Sequence, residues 1–205
     1  MKPFLSLRMK YIVLSAVCSL LFVVPAFSQD ETAGKPSIAV LPFTETERAT
    51  YGGSDLTDML TKELAESGKF TMVEKSKTAT AEPETAKGPK ESIDPTVAAE
   101  IGRKAGSQFV VVGNVKEFGE KVKVTLTGVK SYDAFVRFDL RGVDAKTGKV
   151  LFTQTIEKRG VSMGEAKNPT GTYVSKGMQD AIKNALKDAV NLIVKNFGSS
   201  QPASK

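Results

Sequence analysis

The sequence predicts one domain of the α/β (α+β) class, a mixed sheet with an antiparallel meander flanked by three helices. Three observations carry this prediction. Two short continuous apolar runs, residues 37–43 and 109–115, have the composition of strands buried on both faces. Two segments, 121–127 and 134–144, alternate apolar and polar residues with period two, as half-buried antiparallel strands do. Three further stretches repeat apolar residues every three or four positions, the helical period. A sheet that needs cover and helices with one apolar face each assemble into a layered domain.

Taken in chain order, residues 29–36 are a polar leader. The run at 37–43 (Ser-Ile-Ala-Val-Leu-Pro-Phe) is a strand ending near Pro42, and 44–53 is a polar loop with a Gly-Gly pair. Ser54 or Asp55 can cap a helix to about Ser67, with Leu56, Met59, Leu60 and Leu64 on one face and Gly68 as its stop. Residues 70–74 form a short strand. Residues 75–93 are Thr, Ala, Glu, Pro and Lys with no apolar period, which predicts a flexible excursion. Asp94-Pro95 supplies a cap and a proline at the first helical position. The helix that follows runs to Ala105, turns Val97, Ala98 and Ile101 inward and ends at Gly106. A strand at 109–115 leads into the meander. Val122, Val124 and Leu126 face inward from its first strand, and Val136, Phe138 and Leu140 from its second. Ala145-Lys146-Thr147-Gly148 is a tight turn before a third strand at 150–158. Residues 160–175 form a polar loop. A long amphipathic helix at 176–197 buries Met178, Ala181, Ile182, Ala185, Leu186, Ala189, Val190, Ile193 and Phe197, and 198–205 are a polar tail.

The first 28 residues have a different character. Lys2, Arg8 and Lys10 precede an apolar run at 11–27 that ends in Ala26-Phe27-Ser28, the pattern of a secretory signal peptide cut before Gln29. Pro25 interrupts the run short of the roughly 20 residues of a membrane span. Cys18 as a lipid-anchored first residue is the weaker alternative, because Val17 stands where lipoprotein processing takes a small residue. The 29 basic and 23 acidic residues give a net charge of +6, but three of the basic ones lie in residues 1–28, so the secreted chain carries +3. That balance gives no electrostatic case for a nucleic-acid partner. The chain has no histidine, and Cys18 is its only cysteine. Histidine-based triads and dyads, His–zinc sites and, after cleavage, every thiolate site and disulfide are excluded. No catalytic, cofactor-binding or metal-binding residue is predicted.

Two motifs imitate catalytic ones. Gly160-Val161-Ser162-Met163-Gly164 matches the nucleophile elbow G-x-S-x-G, which needs a strand-to-helix turn and a histidine base. Lys146-Thr147-Gly148 matches the K-T-G triplet of penicillin-recognising enzymes, but the chain lacks their S-x-x-K. A loop and a hairpin turn, respectively, account for both.

Several segments in this order resemble the CsgG-like family of curli production assembly and transport proteins. They are Ile38-Ala39-Val40-Leu41-Pro42-Phe43, then 68–75 (Gly-Lys-Phe-Thr-Met-Val-Glu-Lys), then 105–115 (Ala-Gly-Ser-Gln-Phe-Val-Val-Val-Gly-Asn-Val), then 136–150 with its Asp-Ala-Lys-Thr-Gly-Lys-Val ending, and the closing helix. The resemblance spans residues 37–197. It implies a periplasm-facing α/β domain with a tendency to assemble into rings. The broader relatives include LpoB-type activators of penicillin-binding proteins. Pore-forming members carry two membrane hairpins. The corresponding segments here, 119–132 and 161–175, have 14 and 15 residues. That is short of two strands of about 9–11 residues plus a turn, which weighs against a pore.

The resemblance therefore leads to a non-enzymatic periplasmic assembly or transport factor without a cofactor. It would act by protein binding and homo-oligomerisation, with peripheral outer-membrane association as an option. A regulator of a cell-wall synthase is the alternative. The partner-binding candidates are Tyr51, in the loop after the first strand, and Lys183, Lys187 and Asn191 on the outer face of the last helix.

Overall fold

The structure is a computed structural model that describes residues 34–46, 52–81, 92–124, 126, 128–163, 165–167 and 173–198. The expected signal peptide with Cys18, Tyr51, residues 82–91 of the expected excursion and the tail from 199 lie outside the described residues. Strands β1 (Ser37–Val40), β2 (Thr44–Glu45), β3 (Thr71–Met72), β4 (Phe109–Val124), β5 (Lys130–Asp144) and β6 (Val150–Ser162) form one open sheet. Its order is β3-β1-β4-β5-β6, with β2 also paired to β4. Pairings of β1 with β3 and β4 are parallel, and those of β4 with β5 and β5 with β6 are antiparallel. A small hairpin, β7 (Glu165–Lys167) and β8 (Tyr173–Ser175), stands apart from this sheet.

Among the described residues four helices, not three, flank the sheet. Helices α1 (Gly53–Glu66) and α4 (Lys176–Phe197) pack on one face over Ile38, Val40, Phe109, Val111, Val115, Phe118, Val136, Phe138 and Leu140. Helices α2 (Lys75–Ala81) and α3 (Pro95–Ala105) cover a smaller core of Leu41, Val110, Val112, Val143 and Ala145 on the other. The inward sets expected for α1, α3 and α4 are the ones buried, apart from Met59, Val97, Ile182 and Val190, which lie at the margins.

Four local differences from the sequence reading have physical causes. First, the strands expected at 109–115 and 121–127 are one continuous strand. A bulge between Val115 and Glu117 shifts the inward parity from Val111 and Val115 to Phe118, so the alternation changes phase without the strand ending. Second, the expected flexible excursion begins as helix α2. Thr78 and Ala81 are buried there, and the Thr78 and Thr80 hydroxyls donate to the Lys75 and Ser76 carbonyls. A helix this short is stabilised by packing on α3 rather than by its own periodicity. Third, neither Ser54 nor Asp55 caps α1. Its N-cap is Gly52, and the Glu45 carboxylate accepts the Gly53 N–H from across the loop. Fourth, β6 continues to Ser162 and β7–β8 follow, where a polar loop was expected.

The other punctuation follows the sequence. Asp94 caps α3 by accepting the Thr96 N–H at 2.8 Å, and Gly106 ends it at a left-handed φ of 78°. Ser175, which the sequence reading left at the end of a loop, caps α4 by accepting the Met178 N–H at 3.0 Å. The β5–β6 turn is held by Asp144 Oδ1, which accepts from both the N–H and the hydroxyl of Thr147 at 2.7 and 2.8 Å. Lys146-Thr147-Gly148 is thus a hairpin turn, as expected.

Helix α4 meets the sheet backbone to backbone. A Cβ on Gly160 would lie 2.1 Å from the Gly177 carbonyl oxygen, and one on Gly177 would lie 2.9 Å from the Gly160 carbonyl carbon. At the other end of the helix, Phe197 stacks on Phe109 with ring centroids 4.3 Å apart and touches Phe152 at 5.4 Å. Gly160→Ala is expected to destabilise the protein by about 1–3 kcal/mol, the usual cost of overpacking. Gly34→Ala, with nothing within 4 Å, serves as the control and stays within about 0.5 kcal/mol. Urea unfolding of the two variants measures the difference.

The cap at Asp94 gives a pH prediction. The Thr96 backbone N–H, followed by the Thr96 hydroxyl, holds the Asp94 carboxyl below its ordinary value of 3.8. A depressed folded-state value contributes stability that is complete above the unfolded value and is lost as pH falls through the folded one. Asp94→Asn retains a capping acceptor but cannot titrate. Its urea midpoint is expected to fall less steeply than wild type below pH 3.8.

Candidate functional site

Among the described residues, no group of three acidic, histidine or cysteine side chains could hold a metal ion, and no helix is long and apolar enough to cross a membrane. Ser162, the serine of the elbow-like motif, lies within β6 rather than on a strand-to-helix turn. What the fold presents is a set of surfaces.

The first surrounds the loop after β1. Its two ends are pinned. β2 pairs with Asn114 and Val115 of β4, the Asn114 side-chain amide donates to the Thr44 hydroxyl at 2.7 Å, and the Thr46 hydroxyl donates to the Lys116 carbonyl at 2.9 Å. At the far end, Glu45 caps α1 and the Thr57 hydroxyl accepts the Phe43 N–H at 2.9 Å. The loop is thereby anchored to β4 and to α1. Tyr51 itself is outside the described residues.

The second surface is the outer face of α4. Lys183, Lys187 and Asn191 are all exposed and, four residues apart, line up along one stripe. They lie opposite the buried stripe of Met178, Ala181, Ala185, Ala189 and Ile193. Asp188, beside them, pairs with Lys158 of β6 at 2.6 Å and ties the helix flank to the edge strand. The structure brings these three predicted residues together, at a distance in sequence from the loop that holds Tyr51.

The third surface is the part of the β4–β5–β6 face turned away from α4 that α2 and α3 leave open, a cross-strand charge ladder. Arg137 lies between Glu117 and Glu157 in register, and its Nε is 3.9 Å from Glu157. Arg159 reaches Glu157 at 3.2 Å, Lys116 reaches Asp139 at 3.6 Å, and the Thr155 hydroxyl donates to Asp139 at 2.6 Å. Alternating signs across adjacent strands satisfy one another, so this face is a solvated, self-paired surface.

A fourth surface was missed by sequence reasoning. Val122 and Val124 share the inward parity of Phe118, yet they are 55 % and 63 % exposed, and Leu126 is fully exposed. Their expected burial is corrected. The N-terminus of α4 sits at the row Glu120–Ala134–Gly160, where Glu120 Oε1 accepts the Ser175 N–H at 2.9 Å and Gly177 touches Gly160. The strands run on past that row, and among the described residues no helix lies over the alternating pattern there. The 70 % exposed Val161 and 69 % exposed Met163 lie at the same end. No local signal marked it, since the alternation puts Val122 and Val124 in phase with the core face and only the position of the α4 N-terminus leaves them exposed.

Comparisons with known proteins bear on this architecture. No curated protein matches the chain. Among solved structures, the fold is similar to the hypothetical protein CT253 from Chlamydia trachomatis, at 14 % identity and TM-score 0.49 over 81 % of this chain and 99 % of that one. It is similar to E. coli LpoB at 17 % identity and TM-score 0.46, over 64 % of this chain and 58 % of that one. It is also similar to a PelC dodecamer subunit from Paraburkholderia phytofirmans, at 15 % identity and TM-score 0.47 over 80 % and 89 %. The family described as curli production assembly/transport component CsgG matches residues 18–201, nearly the whole chain. The chain with this open, four-helix mixed sheet is a member of the CsgG family.

Proposed function

We propose that this CsgG-family protein is a non-enzymatic assembly or transport factor of the bacterial cell envelope that works by binding protein, including further copies of itself. The observation that carries the reading is the family match over residues 18–201, which supports an envelope-associated protein. The secretory character of residues 1–28 agrees with a periplasmic site of action. The absence of histidine from the sequence removes the commonest acid–base and metal chemistry, which agrees with a binding role.

The stripe Lys183–Lys187–Asn191 on α4 is the proposed subunit surface. It sits on a helix anchored at both ends, by Gly160–Gly177 and by Phe109–Phe197, and a rigid element is the better platform for a repeated interface. Tyr51 is the proposed contact residue of the loop that Glu45 ties to α1.

Size-exclusion chromatography with light scattering tests this. The secreted chain is expected to elute as a multimer. The double variant Lys183→Glu/Lys187→Glu is expected to shift towards monomer while its unfolding free energy changes by no more than about 0.5 kcal/mol, as for exposed positions. A strict monomer at high concentration, or a double variant with unchanged assembly, overturns the proposed subunit surface.

A further inference from the structure

We propose that the overhanging end of the β4–β5–β6 sheet docks on an anionic lipid surface, entering it to shallow depth without crossing. This goes beyond the protein-binding role and rests on different residues.

Six of the seven large apolar side chains left exposed among the described residues gather at this one end: Val122, Val124, Leu126, Val129, Val161 and Met163. The register places them at one end of the sheet, on both of its faces. Val122 and Val124, opposite Tyr132 and Lys130, lie on the face that α4 covers elsewhere, and Val161, in the row Lys121–Asp133–Val161, lies on the other. Single exposed apolar residues are ordinary, but a cluster confined to one end of a fold marks an interaction surface.

Charge selects the occupant. Lys121, Lys123 and Lys130 are exposed among the apolar residues, and Asp133 is the acidic side chain paired with Lys123. Lys121 lies over the Phe135 ring, 5.6 Å from its centroid. Two copies meeting end to end would bring these lysines face to face, so a second copy is disfavoured. Apolar tips between lysines suit the boundary between acyl chains and anionic headgroups. There the tips enter the lipid and each lysine not already paired, as Lys123 is with Asp133, strengthens partitioning by about fivefold.

Length sets the depth. Past the Glu120 row, β4 extends only through residues 121–124, about 13 Å of strand. That suits the roughly 5–10 Å immersion of an interfacial element and falls far short of a hydrocarbon core about 30 Å thick.

The test places an environment-sensitive nitrobenzoxadiazole label at Leu126→Cys in the full chain carrying Cys18→Ser. A second labelled chain carries the fluorophore at Lys146→Cys, in the turn at the opposite end of β5. Each is mixed with vesicles of phosphatidylcholine alone, or of phosphatidylcholine with phosphatidylglycerol. The expected result is a blue shift at position 126 on the phosphatidylglycerol vesicles and none at 146. The substitutions Lys121→Glu, Lys123→Glu and Lys130→Glu together are expected to weaken that partitioning by at least about a hundredfold. No shift at 126, including the case where the protein sediments with vesicles through another segment, overturns the proposal. An equal shift on phosphatidylcholine alone overturns its anionic specificity. Because the readout is local to the tip, it stands or falls independently of the oligomeric state that tests the proposed function.

Discussion

The backbone contact between Gly160 and Gly177 governs how this domain is put together. It lets the first turn of α4 rest directly on β6, at the row Glu120–Ala134–Gly160. From there the helix runs back along the sheet to Phe197, which lies on Phe109 and against Phe152. The twenty helical steps from Gly177 to Phe197 cover about 30 Å. The nine strand steps from Glu120 back to Val111, whose row Val111–Gly142–Phe152 meets the Phe197 ring, also cover about 30 Å. Helix and sheet are therefore matched in length between these two rows. Small residues at Ala181, Ala185 and Ala189, all buried, keep the helix close along the whole path. Everything the strands do beyond Glu120 takes place outside that cover.

This division separates two kinds of surface. Over the matched length, the inner face is a closed core, and the part of the outer face that α2 and α3 leave open is a ladder of paired charges in which Arg137 sits between Glu117 and Glu157. Neither needs a partner to satisfy it. The exposed stripe of α4 and the apolar end of the sheet are different, because their side chains are displayed without a structural task. The proposed assembly and the proposed lipid contact rest on these two surfaces.

Much of the fold was legible in the sequence because the deciding signals were local. Asp94-Pro95 and Gly106 bracket α3, and the alternation of Val136, Phe138 and Leu140 faces the core as their spacing requires. The parts that were not legible depend on residues far apart. Glu45 caps α1 from another strand, so no pattern at 52–55 could announce it. Helix α2 is stabilised by burying Thr78 and Ala81 beside α3, against the polar character of its own segment. The bulge at Val115 and Glu117 changes the strand's phase, and a reader following period two breaks the strand there. The candidate surfaces fared unevenly for the same reason. The outward stripe of α4 follows from helical period alone. The apolar end does not, since Val122 and Val124 have a core-facing pattern and only the position of α4 leaves them bare.

Hydrogen exchange resolved by residue tests this account most directly, because it measures cover rather than inferring it. If the row Glu120–Ala134–Gly160 is the limit of the helix-covered sheet, the paired amides of β4 and β5 between Val111 and Phe118 exchange only by global unfolding. Those of residues 121–124 and 131–133 exchange by local opening at far lower cost. Uniform protection along both strands, with no step at Glu120, would contradict the claim that the Gly160–Gly177 contact sets the boundary between core and exposed end.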